Sequence, residues 1–403
     1  MKSKRLGIWG LIVVLAVQST ICQISHGEQK PKFIQCLESD KTTGSSKAVI
    51  VDDVPLAHTA QILPVNKKGE ISGNAEAQIK QVMANVGEAL KVADSTWEQV
   101  VKINVYVSRV EMVTKVEEAC AQKFKGSRKP AVSFVMGNLT HTDALVAMDA
   151  IGTVTTGQNP QSVKRLGVHK TADAAVLPAG GKFYVSGQAK NDKLPEATRK
   201  TLESLEATLN FLGTGRSNVV QLKAFVQPIS DKAVVESEII KFFGSELAPP
   251  VVYVEWSSPT NTPIEIELIA SEGTASKKGT DSVDFSTPPG MIPSKVYSKV
   301  AHVNHGKMIY LSGLYGKKSS DGAGQPREIF GTLGDVLKKT GSDFDHLVKA
   351  TYYVSDNEAS NKLNEFRPEF YNPERPPAAS KAMVKGVGMM GKTITVDMIA
   401  VTK

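Results

Sequence analysis

The stretch Pro249–Ser271, PPVVYVEWSSPTNTPIEIELIAS, reads as two strands around a polar turn. Val251, Tyr253 and Glu255 alternate with Val252, Val254 and Trp256, and alternation resumes over Ile264–Ile269, which is the period of a strand. The pattern recurs. Residues 130–153 run PAVSFVMGNLTHTDALVAMDAIGT and residues 376–402 run PPAASKAMVKGVGMMGKTITVDMIAVT, each a proline, a β-rich run, a turn, and a strand with an acidic residue just before Ile-Ala or Ala-Ile-Gly.

Other landmarks keep the same interval. Thr59-Ala60-Gln61, Ser186-Gly187-Gln188 and Ser312-Gly313-Leu314 each close a short apolar strand, at spacings of 127 and 126 residues. Between them lie VVKINVYV (100–107), VVQLKAFV (219–226) and LVKATYYV (347–354). A period of that size is a tandem domain, not a solenoid repeat of a few dozen residues.

The order within a copy is β-β-α-β-α-β-β, with room for one more early strand, and the last two strands read as a hairpin. Apolar stripes at helical spacing predict helices over 76–93, near 112–124 and over 196–212, and Ile329, Leu333, Val336 and Leu337 mark the matching helix in the third copy. Gly213 and Gly341 stand where helix C-termini are expected. The three domains span 47–153, 168–271 and 294–403, joined by polar linkers at 154–167 and 271–293.

Residues 1–27 have a basic start (Lys2, Lys4, Arg5), an apolar run from Leu6 to Val17, and a small-residue exit at Ser25-His26-Gly27. That is the layout of a secretory signal peptide, and the run is short for a membrane span. The mature protein is therefore expected to be exported, periplasmic or secreted, with no membrane association beyond the signal. Residues 28–46 are polar and read as a flexible tail.

The formal charge is +7, of which +3 lies in the signal, and no block of basic residues marks a nucleic-acid stripe, so no nucleic-acid partner is expected. Three cysteines make no disulfide framework, and Cys120 shares helical spacing with Val113, Val116 and Phe124, which places it in a core. Among seven histidines only His302 and His305 are close, flanking an expected hairpin turn at 304–306, and nothing completes a metal set. No G-x-S-x-G, Walker or dinucleotide fingerprint occurs. No cofactor and no metal are expected.

The succession of a Ser-Gly-Gln strand, an amphipathic helix, a V-x-K-x-x-x-Y-V strand, a second helix, and a P-A-x-x-x-V run ending in E-I-E-x-I-A resembles the Rid family, also called YjgF and once labelled endoribonuclease L-PSP. The resemblance covers most of each copy. It implies an α+β fold of three tandem chorismate-mutase-like domains, each a mixed sheet with two helices on one face. Family members form homotrimers around a central barrel, with ligand clefts between subunits. One chain with three copies implies an intramolecular pseudo-trimer, monomeric overall, with three non-identical clefts for a small-molecule ligand.

The family's activity, as the resemblance implies it, is hydrolysis of 2-imino acids to 2-oxo acids and ammonia without a cofactor. An arginine in P-A-R clamps the substrate carboxylate through its planar fork. Here that position is taken by Val132, Val252 and Ala379. Arg128 and Arg375 lie four residues upstream, about 10 Å along a strand, and read as surface ion-pair residues. Glu265 matches the glutamate that helps hold the attacking water, where the other copies carry Ala147 and Thr395. Tyr297 matches the cleft tyrosine of a P-Y-S-Q opening, and Glu267, Asp149 and Asp397 match a second, structural acidic residue. Glu265 and Tyr297 are the candidate catalytic pair, in a cleft between copies two and three. Two classes of function follow: a deaminase-type hydrolase, or a non-catalytic scaffold that binds a metabolite or a protein. Ribonuclease activity has only the older family label behind it.

Overall fold

The structure, a computed structural model, describes residues 33–403 apart from 72, 155–158, 259, 274–278 and 319–320. The expected signal segment lies outside the described residues.

The first copy runs β1 (Ile34–Asp40), β2 (Ser45–Val51), β3 (Leu56–Thr59), α1 (Ala75–Val92), β4 (Val100–Val107), α2 (Glu111–Lys123), β5 (Ala131–Met136) and β6 (Val146–Thr153). The second runs β7 (Lys164–Leu166), β8 (Ala174–Leu177), β9 (Lys182–Gln188), α3 (Leu194–Phe211), β10 (Val219–Val226), α4 (Lys232–Phe243), β11 (Val251–Glu255) and β12 (Ile264–Ser271). The third runs β13 (Val283–Ser286), β14 (Val300–Val303), β15 (Met308–Leu311), α5 (Gln325–Lys339), β16 (Leu347–Val354), α6 (Asn357–Phe370), β17 (Ala378–Met383) and β18 (Ile394–Val401).

Local chemistry sets the helix ends. Asn74 Oδ1 accepts from the Ala77 amide at 3.0 Å and Asp356 Oδ1 from that of Ala359 at 2.6 Å, while Gly213 and Gly341 follow their helices at φ 72° and 77°. On the helix side, each copy has its own core. In the first, Ile79, Val82, Val86 and Leu90 of α1 and Val116 and Cys120 of α2 meet Ile103, Val105 and Met148. Cys120 sits in that core as expected, its thiol pushed up to about 12 by burial.

The pairing of strands departs from the sequence reading in two ways. First, the two strands of Pro249–Ser271 do not form a hairpin. The sheet order is β11-β10-β12, with β11 parallel to β10 and β12 antiparallel to it, and the other copies repeat this as β5-β4-β6 and β17-β16-β18. The central strands β4, β10 and β16 are buried at all eight positions, so both of their edges take a partner. The segment between β11 and β12 is long enough to step across the intervening strand, two spacings or about 10 Å.

Second, the opening strands are exchanged between copies. The connections 52–55, 178–181 and 304–307 are not hairpin turns, because the strands on either side of each lie in different sheets. β8 pairs with β3, β14 with β9, and β2 with β15. The donated piece is in each case a strand pair: β1–β2, β7–β8 or β13–β14. Copy two thus extends the sheet of copy one, copy three that of copy two, and copy one closes the cycle on copy three. Residues 34–40, whose polarity suggested a flexible tail, are the edge strand of the pair that closes it, and short strands β7 and β13 occupy the expected linkers. The crossing segments are pinned to one another: Asp53 Oδ1 accepts from the Gly180 amide at 3.0 Å and Lys182 Nζ at 3.1 Å, and Lys307 Nζ lies 2.9 Å from Asp52.

The result is three six-stranded mixed sheets. The central barrel implied by the family resemblance is not closed among the described residues; isolated bridges such as Ser298–Ala378 and Met136–Gly386 touch between sheets. Instead the inner faces pack in layers. One apolar layer gathers Val49, Leu56, Ile151, Tyr184, Ile269, Tyr310 and Ile399, and another gathers Tyr106, Val135, Phe225, Val254, Trp256 and Tyr353. Between them lies a charged layer.

That layer holds Lys102, Lys223, Lys349, Glu267 and Asp397 around a void of about 30 Å³, with Asn104 and Gln221 also lining it and Asp149 behind Asn104. Lys102 Nζ is 2.8 Å from Asp397, and Lys349 Nζ is 2.6 Å from Glu267. Lys223 stands 3.8 Å from both Glu267 and Asp397. Asp149 accepts from Asn104 Nδ2 at 3.0 Å and Tyr106 Oη at 2.8 Å. The two closest pairs, Lys102–Asp397 and Lys349–Glu267, each join two copies, as does Lys223–Asp397, while Lys223–Glu267 lies within copy two. Burial pushes the Asp397 carboxyl up, but Lys102, Lys223 and Lys349 together outweigh it and hold it at about 2. Burial also pushes Lys102 and Lys349 down and Asp149 up.

Two predictions follow from this architecture. Deleting residues 1–51 leaves the edge of β15 bare, a template for pairing with another chain. Size-exclusion chromatography is expected to show association or aggregation; a shortened chain that elutes and melts like the parent would show that ring closure is dispensable. Asp397→Asn strands the Lys102 ammonium and is expected to cost about 3–5 kcal/mol in urea unfolding. Because the Asp397 value is depressed from 3.8 to about 2, its contribution is present above pH ~4 and lost as pH falls through ~2. The variant's midpoint is therefore expected to be flatter than the parent's over that window, and parallel curves would refute the assignment.

Candidate functional site

The cyclic arrangement makes three equivalent junctions, each where the strand after a copy's second helix meets the Ser-Gly-Gln segment of a neighbour. In the first, the Val132 amide donates to Ser312 Oγ at 2.7 Å and its carbonyl accepts from the Gly313 amide at 3.0 Å. In the second, the Gln61 amide donates to the Val251 carbonyl at 3.1 Å. In the third, the Ala379 amide donates to Ser186 Oγ at 2.7 Å and the Gly187 amide donates to Ser380 Oγ at 3.2 Å.

These contacts, with the strand register, revise one sequence correspondence. Ile103 pairs with Val132, Ala350 with Ala379, and the equivalent Leu222 with Val251, so Val251 and not Val252 occupies the arginine position of the second copy. Val252 instead faces inward, in the place of Ser133 and Ser380, and lies in the inner apolar layer. The Pro249-Pro250 pair hides the offset, because either proline matches the single one that sets the motif. The conclusion that all three positions lack a guanidinium is unchanged. Arg375 is held elsewhere, donating to Asp281 at 3.1 Å and to the Val283 carbonyl at 2.9 Å, where it fixes the exchanged β13–β14 pair.

The junctions differ in what faces them. The first has Thr395 and Ser133 against Gly313, and the second carries Ala147 and Val252 at the matching strand positions, with Gln61 in the place of the glycine. The third has Glu265 and Ser380 against Gly187. A Cβ on Gly187 would lie 1.9 Å from Glu265 Oε1 and 2.6 Å from Ser380 Oγ, so the missing side chain is what lets the carboxyl rest on the backbone there.

Glu265 is half-buried and the Ser380 hydroxyl hydrogen-bonds to it. Burial raises its carboxyl to about 7, with the Ser380 hydrogen bond and the Lys299 ammonium opposing and Glu267 reinforcing the shift. Tyr297 is brought to the same junction through its neighbour: Lys299 Nζ donates to Tyr297 Oη at 2.6 Å. The chain at Ser298 and Lys299 is clamped on both sides, the Ser298 amide donating to the Pro377 carbonyl and the Lys299 carbonyl accepting from the Ser186 amide, both at 2.9 Å. The two candidate residues thus share one junction between copies two and three. Lys299 and Ser380 complete it, and neither carried a sequence signal beyond its neighbours; only the strand exchange and register bring them in. The acidic residues Asp149, Glu267 and Asp397 lie apart, in the charged layer.

A carboxyl with a value near neutrality, beside a hydroxyl, a phenol and an ammonium, can exchange a proton with a bound water or ligand. Neither Thr395 nor Ala147 can do so. A concavity of about 650 Å³ lies between α1 and α2, lined by Ile79, Met83, Trp97 and Lys115 among others, and shares no lining residue with the junctions.

The chain is 34% identical over 84 residues to a RutC family protein of Synechocystis, an alignment spanning 21% of this chain and 65% of that protein. It is 25% identical over 133 residues to the human 2-iminobutanoate/2-iminopropanoate deaminase, covering 29% of this chain and 94% of the relative. Among solved structures, a Rid-family protein of unknown function from Yersinia pestis is 27% identical with a TM-score of 0.26, covering 28% of this chain and 89% of that one. A YjgF-family protein from Neisseria meningitidis is 20% identical with a TM-score of 0.23, covering 30% and 95%. A profile described as endoribonuclease L-PSP matches residues 42–154 and 290–402, the first and third copies. Together these regions make up more than half of the chain, which belongs to the endoribonuclease L-PSP family, the Rid or YjgF family, and carries its unit in tandem.

Proposed function

We propose that the protein is a deaminase-type hydrolase of small 2-imino acids with a single working cleft, the one between copies two and three. The observation that carries the proposal is Glu265, a half-buried carboxyl raised by burial to about 7, in a position where the other two copies have Ala147 and Thr395. The distant likeness to the human deaminase supports the same chemistry.

In this reading, Glu265 in its ionised form takes a proton from a water as the oxygen adds to C2 of the imine. The adduct's nitrogen then receives a proton and leaves as ammonia, so that one imino acid and one water give one 2-oxo acid and one ammonia. Ser380 fixes the Glu265 carboxyl, and Tyr297 lines the cleft. One observation favours the alternative, a cleft that binds without turnover: Val132, Val251 and Ala379 leave every arginine position uncharged. The same proposal includes export: the secretory layout of residues 1–27 supports a reaction outside the cytoplasm.

The test uses freshly generated 2-iminopropanoate and 2-iminobutanoate, with release of 2-oxo acid and ammonia followed against the uncatalysed rate. Glu265→Gln is expected to lower kcat/KM by about 10²-fold or more. Since the base is the ionised form, the parent's rate is expected to rise with pH through about 7 and then level off. No turnover by the parent, or a Gln variant with the parent's rate, would end the hydrolase reading.

A further inference from the structure

We infer that Lys299 is the carboxylate-binding residue of this cleft, and that the ligand it selects is a small acid bearing a polar group on C2. The inference rests on the proposed reading of the cleft and adds the charge that holds the ligand.

Backbone geometry is the first ground. The parallel bridge between Ser298 and Ala378 puts Lys299, one step on, level with Ala379, the position that carries an arginine in the family pattern. Neighbouring strands lie about 4.8 Å apart. A cation therefore flanks the position from the next strand, where Ala379 itself offers only a methyl group.

The second ground is the state of the ammonium. It donates to the Tyr297 hydroxyl at 2.6 Å and lies 4.4 Å from the centre of that ring. Among the described residues no carboxylate stands within ion-pair distance of it, although Lys299 is half-buried. A partly desolvated cation whose hydrogen-bond partner is a hydroxyl, with Glu265 acting on it only from beyond ion-pair distance, favours an incoming anion.

The molecule supplies its own controls. In the exchanged strands, Val51 and Val303 occupy matching places beside Met308 and Lys182, so Lys47 is the counterpart of Lys299 in the first junction. The backbone contacts agree: the Ser312 amide donates to the Lys47 carbonyl just as that of Ser186 does to Lys299. Lys47 is neutralised by Glu38 at 2.5 Å. The counterpart in the second junction is Asp173, whose carbonyl accepts from the Ala60 amide. Only in the third junction does a lysine without a carboxylate partner face a glutamate that can manage a proton. With the ligand carboxylate on Lys299 and Tyr297, its C2 substituent meets Glu265 and Ser380.

Binding is measured apart from turnover, by titrating the full-length chain with pyruvate and 2-oxobutanoate in a calorimeter, with melting curves as a check on folding. The parent is expected to bind both saturably, and Lys299→Met to weaken binding about ten-fold or more. Lys299→Arg is expected to stay within a few-fold of the parent, and Lys299→Met with Ala379→Arg to regain affinity, which a misfolded protein could not do. Lys295→Met, at an exposed position nearby, is expected to bind like the parent. The inference is overturned if the parent binds neither acid, if Lys299→Met binds as the parent does, or if Lys295→Met loses as much. Unchanged KM for imine hydrolysis in Lys299→Met would remove this assignment and leave the hydrolase; Lys299-dependent binding without turnover would do the reverse.

Discussion

Three buried lysines and three buried carboxylates at the centre of the molecule set the terms for the rest of the structure. An isolated charge in that position would be expensive, and a pair is tolerated only when its geometry and remaining hydrogen bonds are satisfied. Here the close partner of Lys102 is Asp397 and that of Lys349 is Glu267, so the lysines of copies one and three are neutralised only by a neighbouring copy. Each unit needs its neighbours before its inner face can be buried. Apolar layers on both sides keep water from substituting for the missing partner, and this makes the arrangement of copies specific as well as stable.

Strand exchange acts in the same direction. A sheet edge left open is a liability, and here each four-stranded sheet is extended by two strands from another copy, the last gap being closed by the N-terminal β1–β2 pair on β15. The order of donation runs the same way round as the two closest ion pairs, Lys102–Asp397 and Lys349–Glu267. Fusing three units into one chain also releases them from identity: the charged layer has Gln221 where the other copies have Lys102 and Lys349, with Lys223 two residues further along the strand filling the gap. Asymmetry of this kind is not available to a homotrimer.

The same freedom differentiates the junctions. The second has become apolar through Ala147 and Val252, and is closed by Gln61 donating to the Tyr253 carbonyl at 2.8 Å. The first keeps hydroxyls, with its lysine neutralised by Glu38. The third combines Glu265, Ser380, Tyr297 and Lys299 on a backbone left open by Gly187. Carboxyl, hydroxyl, phenol and ammonium groups meet in the third junction alone, which is why the proposed reading places its chemistry there.

The sequence by itself determined the three-fold repeat, the order of elements and the helix faces, because period-two and period-3.6 patterns and C-terminal glycines such as Gly213 and Gly341 are local consequences of backbone geometry. It also marked Glu265 and Tyr297, since a motif within one copy identifies them. Tertiary structure alone decided which strands pair. The run Pro249–Ser271 alternates identically whether its strands pair with each other or flank β10, and a four-residue connection such as 304–307 reads the same as a hairpin turn or as a crossing to another sheet. Pairing is a long-range choice, governed by which edges are free and which charges need partners, and no local pattern encodes it. For that reason Val251, not Val252, holds the arginine position, and for the same reason Lys299 and Ser380 become neighbours of Glu265 only once strands from different copies lie side by side.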